Sequence, residues 1–227
     1  MNDALLIQAC FSANPHSEYG ALTGIFSDML RLCYPRHSAY TRAHKMDYWH
    51  IMGDVHPEYT RGAWSKVWLI KYALEAGYET IAYLDTDAAV WNVACDLRDA
   101  LPADKHIGAV LHDPAKSPYL QRFNVQAHYN VGVLYVRNRT GVLDFFNAWL
   151  ATFPGDPRWQ EQGSFNELVG QHQYFDLFTR VDDTWNATVS VNMTEKPNVY
   201  AWHGIMPPQR RLDLMKAAMA DDHLRFR

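Results

Sequence analysis

The chain has few cysteines and no spacing that would pair them. Cys10, Cys33 and Cys95 are an odd number without a C-x-x-C motif, which predicts reduced, mostly buried thiols in a cytosolic protein. The N-terminal residues MNDALLIQACF lack a basic segment followed by a long apolar run, so they do not form a signal peptide. No stretch approaches the roughly 20 apolar residues of a membrane span. We therefore expect a cytoplasmic protein with no membrane span.

An excess of basic residues is also missing. The net charge is −4 and the isoelectric point about 6.2, so nucleic acid is not favoured as a partner. The 227 residues, 48% hydrophobic and 20% charged, are ordinary for a globular protein and long enough for one large domain. There is no internal repeat, low-complexity tract or linker. Residues 1–227 are therefore predicted to form a single domain.

Alternating apolar patterns predict an α/β fold. Short apolar runs predict strands at residues 4–11, 38–49, 81–84, 107–111, 130–136, 177–181 and 199–202. Apolar repeats at helical spacing predict helices at residues 22–33 (ended by Pro35), 64–74, 94–101, 142–153, 161–169 and 210–219. A strand that leads through a polar turn into a helix is the opening unit of an α/β domain.

The apolar run at residues 81–84 ends abruptly in Asp85-Thr86-Asp87. In an open α/β sheet, ligands bind at the carboxyl ends of the strands. Two carboxylates with one residue between them can share a hard divalent cation such as Mg²⁺ or Mn²⁺, which usually completes its shell with substrate phosphates. The alternative is an Asp-rich turn in which Asp87 caps the next segment of the chain.

Two enzyme classes share a D-x-D motif after an apolar strand. One is the metal-dependent nucleotide-sugar glycosyltransferases, and the other is the haloacid-dehalogenase-type phosphatases, in which Asp85 would be the nucleophile and Asp87 the acid/base. The phosphatase motif normally belongs to the first strand of its fold. Here a strand and helices come first, which favours the transferase.

Four further segments occur in an informative order. They are a W-x-K helix (Trp64, Lys66) before LDTDA, then YNVGVLYVRN, then EQGSFNEL, and finally WHG followed by Pro and Arg. In this order, from about residue 62 to 211, the chain resembles the GT-A glycosyltransferases of the GMA12/MNN10 galactosyl- and mannosyltransferase group, and more distantly the glycogenin-like enzymes. The resemblance implies a single GT-A domain with a mixed central sheet flanked by helices.

The resemblance also implies a set of ligands for a metal ion and a nucleotide. Asp85 and Asp87 would bind Mn²⁺ or Mg²⁺ and, through it, a nucleotide diphosphate sugar. His203, after the apolar residues VYAW, corresponds to the third metal ligand of the family, and an imidazole favours Mn²⁺. Arg210 and Arg211 come where relatives place a basic residue on the diphosphate, and Arg forks match phosphate oxygens.

Other residues are expected, by the same resemblance, to face the donor sugar. They are Lys66, Asn130 at the start of a buried strand, and the pair Glu161-Gln162, which stands where glycogenin-like enzymes have Asp-Gln. Each has a structural alternative. Lys66 could be a surface lysine, Asn130 a turn residue, and Glu161 a carboxylate that is favoured at a helix N-terminus. Ser12 would lie near the nucleotide, and His112 and Asp113 could face the acceptor.

The sequence therefore predicts a metal-dependent enzyme that moves a hexose from a UDP- or GDP-linked donor to a hydroxyl of a glycan, lipid-linked or other acceptor. By resemblance, the anomeric configuration is retained. Two alternatives stay open at this stage: the phosphatase, and a non-catalytic nucleotide-sugar-binding protein.

Overall fold

The structure, a computed structural model, describes residues 2–11, 23–53, 55, 62–113, 115, 121, 128–155, 159–189 and 191–225. Ser12 and most of the predicted loops at residues 52–61 and 113–126 lie outside the described residues.

A six-stranded mixed sheet forms the centre of the molecule. Its strands are β1 (Ala4–Cys10), β2 (Asp47–Met52), β3 (Thr80–Leu84), β5 (Ile107–His112), β6 (His128–Arg137) and β7 (Phe178–Val181), in the order β2-β1-β3-β6-β5-β7. β6 is antiparallel to β3 and β5, and the other pairs are parallel. The carboxyl ends of β1, β3, β5 and β7 and the beginning of β6 therefore meet at one edge of the sheet.

A second, three-stranded sheet lies beside this edge. It contains β4 (Ala88–Val90), β8 (Ala187–Thr188) and β9 (Val199–Ala201), in the order β4-β9-β8. β4 begins directly after Asp87 and β9 ends just before His203. The antiparallel pairing of these two strands, with Ala88 opposite Ala201, brings the D-x-D turn and the histidine together.

The described residues form five α-helices that cover the sheets: α1 (Thr23–Ala43), α2 (Gly62–Glu75), α3 (Val142–Ala151), α4 (Gln160–Val169) and α5 (Pro208–Arg225). Large side chains of α2, α3 and α4 pack on one face of the central sheet, among them Trp64, Phe145, Trp149 and Phe165. The other face packs against the 3₁₀ helix Leu97–Ala100 and the small sheet. α1 and α5 bury Met29, Cys33, Leu212 and Met215 together beside Trp202. The predicted mixed sheet flanked by helices is confirmed.

The predicted end of the first helix is wrong. α1 continues through Pro35 to Ala43, so residues 38–43 are helical and the second strand begins only at Asp47. Proline removes one backbone hydrogen bond from a helix. On both sides of it, however, Cys33, His37, Tyr40 and Thr41 are buried at helical spacing, and this packing stabilises the continuous helix against the local preference.

Two smaller predictions also need correction. Residues 94–101 do not form an α-helix, because only Leu97–Ala100 is helical and it is a 3₁₀ turn capped by the Asp96 carboxylate. The short strands β4 and β8 were not expected at all. Strands of two or three residues leave too little pattern to recognise, since the alternation that identifies a strand needs at least four residues.

Candidate active site at the carboxyl edge of the sheet

The D-x-D turn leaves β3 and is held in place by backbone hydrogen bonds from two directions. The Asp85 N–H donates to the carbonyl of Gly132 in β6 at 2.7 Å, and Ala88 N–H donates to the Asp85 carbonyl at 3.0 Å. A buried side chain from β1 completes the turn: Gln8 Nε2 donates to the carbonyls of Asp85 (3.0 Å) and Ala88 (2.9 Å). The two carboxylates therefore extend from a fixed backbone.

Gln8 is itself oriented by a buried histidine. The Val90 N–H donates to His37 Nε2 at 3.0 Å, so the other ring nitrogen carries the proton and donates to Gln8 Oε1, also at 3.0 Å. Burial, followed by the nearby Arg36 and His50, lowers the pKa of His37 to about 3, and the ring is neutral at physiological pH. Gln8 and His37 therefore hold the backbone of the turn by hydrogen bonds and add no charge beside the two carboxylates.

Asp85, Asp87 and His203 form one cluster, in which each residue offers a ligand atom within 4.8 Å of the others. His203 Nδ1 lies 2.9 Å from Asp87 Oδ1, and the Asp87 carbonyl accepts from Trp202 N–H at 2.9 Å. His203 Nε2 is buried and has no hydrogen-bond partner among the described residues. A buried polar atom without a partner is costly, and a cation would satisfy it.

Gly132 leaves the space that this cluster needs. A Cβ at position 132 would lie 2.7 Å from His203 Nε2 and 2.8 Å from Asp85 Oδ2, distances at which a side chain cannot fit. Two carboxylates and one imidazole nitrogen, packed closely against a glycine, match the ligand set of a divalent metal such as Mn²⁺. The residues present therefore fit the metal that the sequence predicts.

Arg211, rather than Arg210, contacts the D-x-D turn. Arg211 Nη1 donates to Asp87 Oδ2 at 2.6 Å, while its Nε and Nη2 donate to the carbonyl of Ile205. Burial alone would raise the pKa of Asp87, but His203 and Arg211 outweigh it and hold that pKa well below its usual range. The side chain of Arg210 is exposed, and its predicted role at the diphosphate stays a prediction.

Lys66 links two carboxylates on the other side of the cluster. Its ammonium lies 3.0 Å from Asp85 Oδ1 and 3.1 Å from Glu161 Oε1, and it donates to the Val131 carbonyl at 3.4 Å. Burial acts to lower the pKa of Lys66, but the two carboxylates outweigh it and raise that pKa. Lys66 is only 4% exposed, so it is not the surface lysine of the alternative interpretation.

Glu161 and Gln162 begin α4 and face the start of β6. Glu161 is 6% exposed, and burial raises the pKa of its carboxyl group against the opposing effect of Lys66. Gln162 Oε1 accepts from Val131 N–H at 3.2 Å. Asn130 Oδ1 accepts from the N–H of Gly132 at 3.0 Å and from Asn186 Nδ2 at 2.9 Å. The structure thus brings four of the expected donor-side residues, Lys66, Asn130, Glu161 and Gln162, to one place.

The two residues expected near the acceptor lie at the end of β5, at the same edge: His112 is its last residue and Asp113 follows it. His112 Nε2 lies 3.3 Å from Thr188 Oγ1, and burial, followed by His203 and His128, lowers the pKa of its imidazole to about 3. Asp113 Oδ1 accepts from Ala115 N–H at 2.8 Å, which makes it a turn residue. Ser12 lies outside the described residues.

Reasoning from the sequence missed Gln8 and His37. A signal existed for Gln8, because it is the one polar residue in the apolar run ALLIQACF. No comparable signal pointed to His37, which fell beyond the supposed end of α1.

Comparison with known proteins identifies the fold of the chain. No family model and no curated protein sequence matches the chain. Among solved structures, a glycosyltransferase involved in the glycosylation of the major capsid of PBCV-1 matches with a TM-score of 0.63 and 14% identity over 94% of this chain and 98% of its own. The galactosyltransferase LgtC, in complex with donor and acceptor sugar analogs, matches with a TM-score of 0.55 and 14% identity over 94% and 95% of the two chains.

A third structure, the glycosyltransferase GlyE of Streptococcus pneumoniae TIGR4, matches with a TM-score of 0.51 and 12% identity over 93% of this chain and 60% of its own. At these identities the likeness shows the fold, which is the GT-A glycosyltransferase fold. The narrower GMA12/MNN10 grouping stays a prediction. None of the described helices is long and apolar enough to cross a membrane.

Proposed function

We propose that this protein is a metal-dependent glycosyltransferase, which moves a hexose from a nucleotide diphosphate sugar to an acceptor hydroxyl with retention of configuration. The observation that carries the proposal is the cluster of Asp85, Asp87 and His203, with its unpartnered Nε2 atom and the space left by Gly132. The GT-A fold supports it, because the matched structures are glycosyltransferases. The single domain, the hexose and the cytoplasmic location stay expectations from the sequence.

Asp85, Asp87 and His203 would hold the divalent ion, and the imidazole favours Mn²⁺ over Mg²⁺. When bound, such an ion neutralises the negative charge that develops on the departing nucleoside diphosphate. Arg211 lies directly beside Asp87 and offers a guanidinium to the same phosphates. Its contacts with the Ile205 carbonyl fix the orientation of that guanidinium before any ligand arrives, which reduces the cost of binding.

Lys66 and Glu161 are suited to the donor sugar. A buried carboxylate accepts hydrogen bonds from sugar hydroxyls, and the ammonium of Lys66 opposes the rise in the pKa of Glu161 that burial causes. Gln162 and Asn130 offer amide groups from α4 and β6 on either side of Val131. A set of convergent polar groups in a buried setting is what orients a small ligand.

The proposed reaction is a balanced group transfer. A bond forms between the acceptor oxygen and the anomeric carbon, and the bond from that carbon to the phosphate oxygen breaks with its electron pair going to the phosphate. The proton of the acceptor hydroxyl moves to the phosphate oxygen that departs. By resemblance to retaining enzymes, the acceptor approaches from the face of the leaving group, and Glu161 stabilises positive charge at the anomeric carbon.

A thermal-shift panel of UDP- and GDP-linked sugars, with and without Mn²⁺, tests the proposal. A ligand at about 100 times its dissociation constant stabilises the folded state by about 2.7 kcal/mol. We expect a shift for one nucleotide class that requires the metal. Asp87→Asn should abolish this shift, while Asp104→Asn, which changes an exposed carboxylate, should keep it.

Two results would reject the proposal. The first is an absence of any metal-dependent shift with all donors. The second is a response to Mg²⁺ and a phosphate mimic alone, which would favour the phosphatase alternative. A metal-dependent shift without any sugar transfer or hydrolysis would instead identify a nucleotide-sugar-binding protein.

A further inference from the structure

A second concave surface begins beside the donor-side residues and has no part in the function proposed so far. This lateral groove has a volume of about 730 Å³ and lies between α4 and the edge strand β7. Its lining includes Trp159, Gln162 and Asn166 near the site, and Phe175, Phe178 and Arg180 farther away.

The groove lies beside the helix α4, which is hydrogen-bonded to β6 and touches β7 through the rings of Phe165 and Phe178, 5.6 Å apart between centroids. Asn166 binds the backbone of Tyr129 at both its oxygen and its nitrogen, at 2.7 and 3.1 Å, and Gln162 binds Val131 N–H. Within the described part of the chain, β7 pairs with β5 alone and forms the last strand of the sheet. No further strand covers this edge within the described part of the chain, and the groove lies between the edge and α4.

The groove shares one residue, Gln162, with the proposed transfer site. Gln162 lines the groove and follows Glu161, whose carboxylate contacts Lys66. At the same end, Trp159 packs on His128 with ring centroids 4.9 Å apart. One end of a molecule in the groove would lie beside Gln162, which is next to Glu161 in the sequence, and the rest of the molecule would extend along α4.

The lining of the groove has the chemistry of a carbohydrate site. Phe175 is 70% exposed, the highest value among the large hydrophobic residues that the structure describes. Exposed rings beside amide groups offer an apolar face for the C–H side of a sugar and polar groups for its hydroxyls. A single exposed phenylalanine is common on protein surfaces. Phe175, however, lines the same groove as Phe178 and Trp159.

The charge in the groove is opposite to that of the whole chain. Lys105 and Arg180 line it, and none of the described lining residues is acidic, although the chain carries a net charge of −4. Lys105 Nζ donates to the carbonyl of Asp176 at 3.1 Å. Arg180 lies 3.7 Å from Asp183, with about half of its side chain exposed, a loose contact that leaves much of the guanidinium accessible.

We infer that the lateral groove binds the acceptor, and that this acceptor is an acidic oligosaccharide. Its terminal sugar would lie at Trp159 and Gln162, its next rings against Phe178 and Phe175, and its carboxylate or sulfate groups near Lys105 and Arg180. The inference rests on the proposed function, since only a transferase needs a second sugar site beside the donor-side residues.

The test uses acidic oligosaccharides, containing uronic acid or sulfate, each paired with its neutral counterpart. Binding is measured on the full chain by saturation-transfer NMR and calorimetry, with the metal-dependent thermal shift of the nucleotide sugar recorded on the same samples. We expect at least one acidic member to bind more tightly than its neutral partner. Phe175→Ala and Arg180→Gln should each weaken that binding by roughly 3- to 10-fold, the usual effect of one aromatic contact or one charge-assisted contact.

Matched controls separate the groove from general effects. Tyr72→Ala removes another exposed aromatic ring on α2, and Arg42→Gln another exposed cation on α1, and both should leave oligosaccharide binding unchanged. Phe175→Ala and Arg180→Gln should keep the donor-induced thermal shift. If that shift is absent in the wild-type protein, the proposed function fails; if it is present, the remaining outcomes concern the groove alone.

The following outcomes would overturn the inference. One is that no member of the panel binds at millimolar concentration, and another is that acidic and neutral partners bind equally well. The third is that Phe175→Ala binds like the wild type, or that it dissociates a dimer seen by sedimentation, since the groove would then hold a second copy of the chain.

Discussion

Arg211 donates from Nη1 to Asp87 Oδ2 at 2.6 Å, on the opposite oxygen from the one that contacts His203. This ion pair joins the first turn of α5 to the turn after β3, although the two residues are 124 positions apart in the sequence. It also places a fixed positive charge next to a proposed ligand of the metal. Arg211 should therefore have opposite effects on the metal ion and on the nucleotide.

Arg211→Ala tests these opposite effects. Loss of a cation beside Asp87 removes repulsion, so Mn²⁺ without nucleotide should bind as tightly as before or more tightly. A nucleoside diphosphate should bind about 10-fold or more weakly in the presence of Mn²⁺, because a charge-assisted contact with phosphate is worth about 1.5 to 3 kcal/mol. Both affinities are measured by calorimetry.

Arg210→Ala is the matched control, since it removes the same side chain one position earlier, where it is exposed. We expect little change in either affinity. If Arg210→Ala weakens nucleotide binding and Arg211→Ala does not, the phosphate contact belongs to Arg210, and Arg211 has only a structural role.

Gly132→Ala tests the space beside the metal ligands. The new methyl group would lie 2.6 Å from His203 Cε1 and 2.8 Å from Asp85 Oδ2, so His203 has to move. We expect a loss of stability of about 1 to 3 kcal/mol, typical of an added methyl group in a packed site, together with loss of Mn²⁺ binding. Urea unfolding and metal titration measure the two effects separately.

Gly24→Ala is the corresponding control. Gly24 lies in α1, and nothing stands within 4 Å of an added Cβ. This change should stabilise the protein by up to about 1 kcal/mol and leave metal binding unaltered. A Gly132→Ala protein that binds Mn²⁺ with wild-type affinity would show that His203 does not need its present position, and would remove it from the ligand set.

The sequence predicts the D-x-D turn for a simple physical reason, whereas His203 is named by resemblance. An apolar run that ends in two carboxylates is a local pattern, and the carboxyl edge of a parallel sheet is a general binding position. Lys66 and Glu161 could be named by resemblance. The contact between Lys66 and Glu161 could not be predicted, because it depends on how α2 and α4 are positioned on the sheet.

Two features lie beyond local sequence patterns for an equally physical reason. Pro35 ends helices in isolation, but burial of His37 and Tyr40 is a tertiary effect that local propensity does not contain. The choice between Arg210 and Arg211 depends on a rotation of about 100° per residue around α5, and this angle is set by the packing of Leu212 and Met215 against α1. Neither could be read from spacing alone.

The contact between Lys66 and Glu161 allows a test of their coupling. Lys66→Met leaves the buried Glu161 carboxylate without its cation, which should cost about 3 to 5 kcal/mol of stability. The double variant Lys66→Met/Glu161→Gln removes both charges and should recover a large part of this loss. Urea unfolding of the single and double variants gives the coupling energy.

Lys71→Met provides the comparison on the same helix. Lys71 pairs with Glu75 on a more exposed part of α2, and an exposed pair contributes only about 0 to 1 kcal/mol. If Lys66→Met costs no more than Lys71→Met, the ammonium of Lys66 is not the buried partner of Glu161, and its proposed role at the donor sugar loses its basis.

The neutral state of His37 predicts how stability depends on pH. The pKa of His37 falls from its ordinary 6.5 to about 3 in the folded protein, so between these values the unfolded chain binds a proton that the folded chain does not. The stability contributed by neutral His37 is therefore complete above about pH 6.5 and is lost as the pH falls towards 3. The free energy of unfolding should decrease by about 1.4 kcal/mol per pH unit for this group.

Urea unfolding at several pH values between about 7 and 4 measures this slope. His112, whose pKa is also lowered to about 3 by burial, adds to the slope in the same window.

His37→Gln should be less stable at neutral pH, because the Val90 N–H and Gln8 lose their partner. Its free energy of unfolding should nevertheless change less per pH unit than that of the wild type, because the contribution of His37 to the slope is gone. His172→Gln, at an exposed position, should leave the slope unchanged. An equal slope in His37→Gln and the wild type would mean that His37 is not kept neutral, and that Gln8 is not oriented by a donating Nδ1–H.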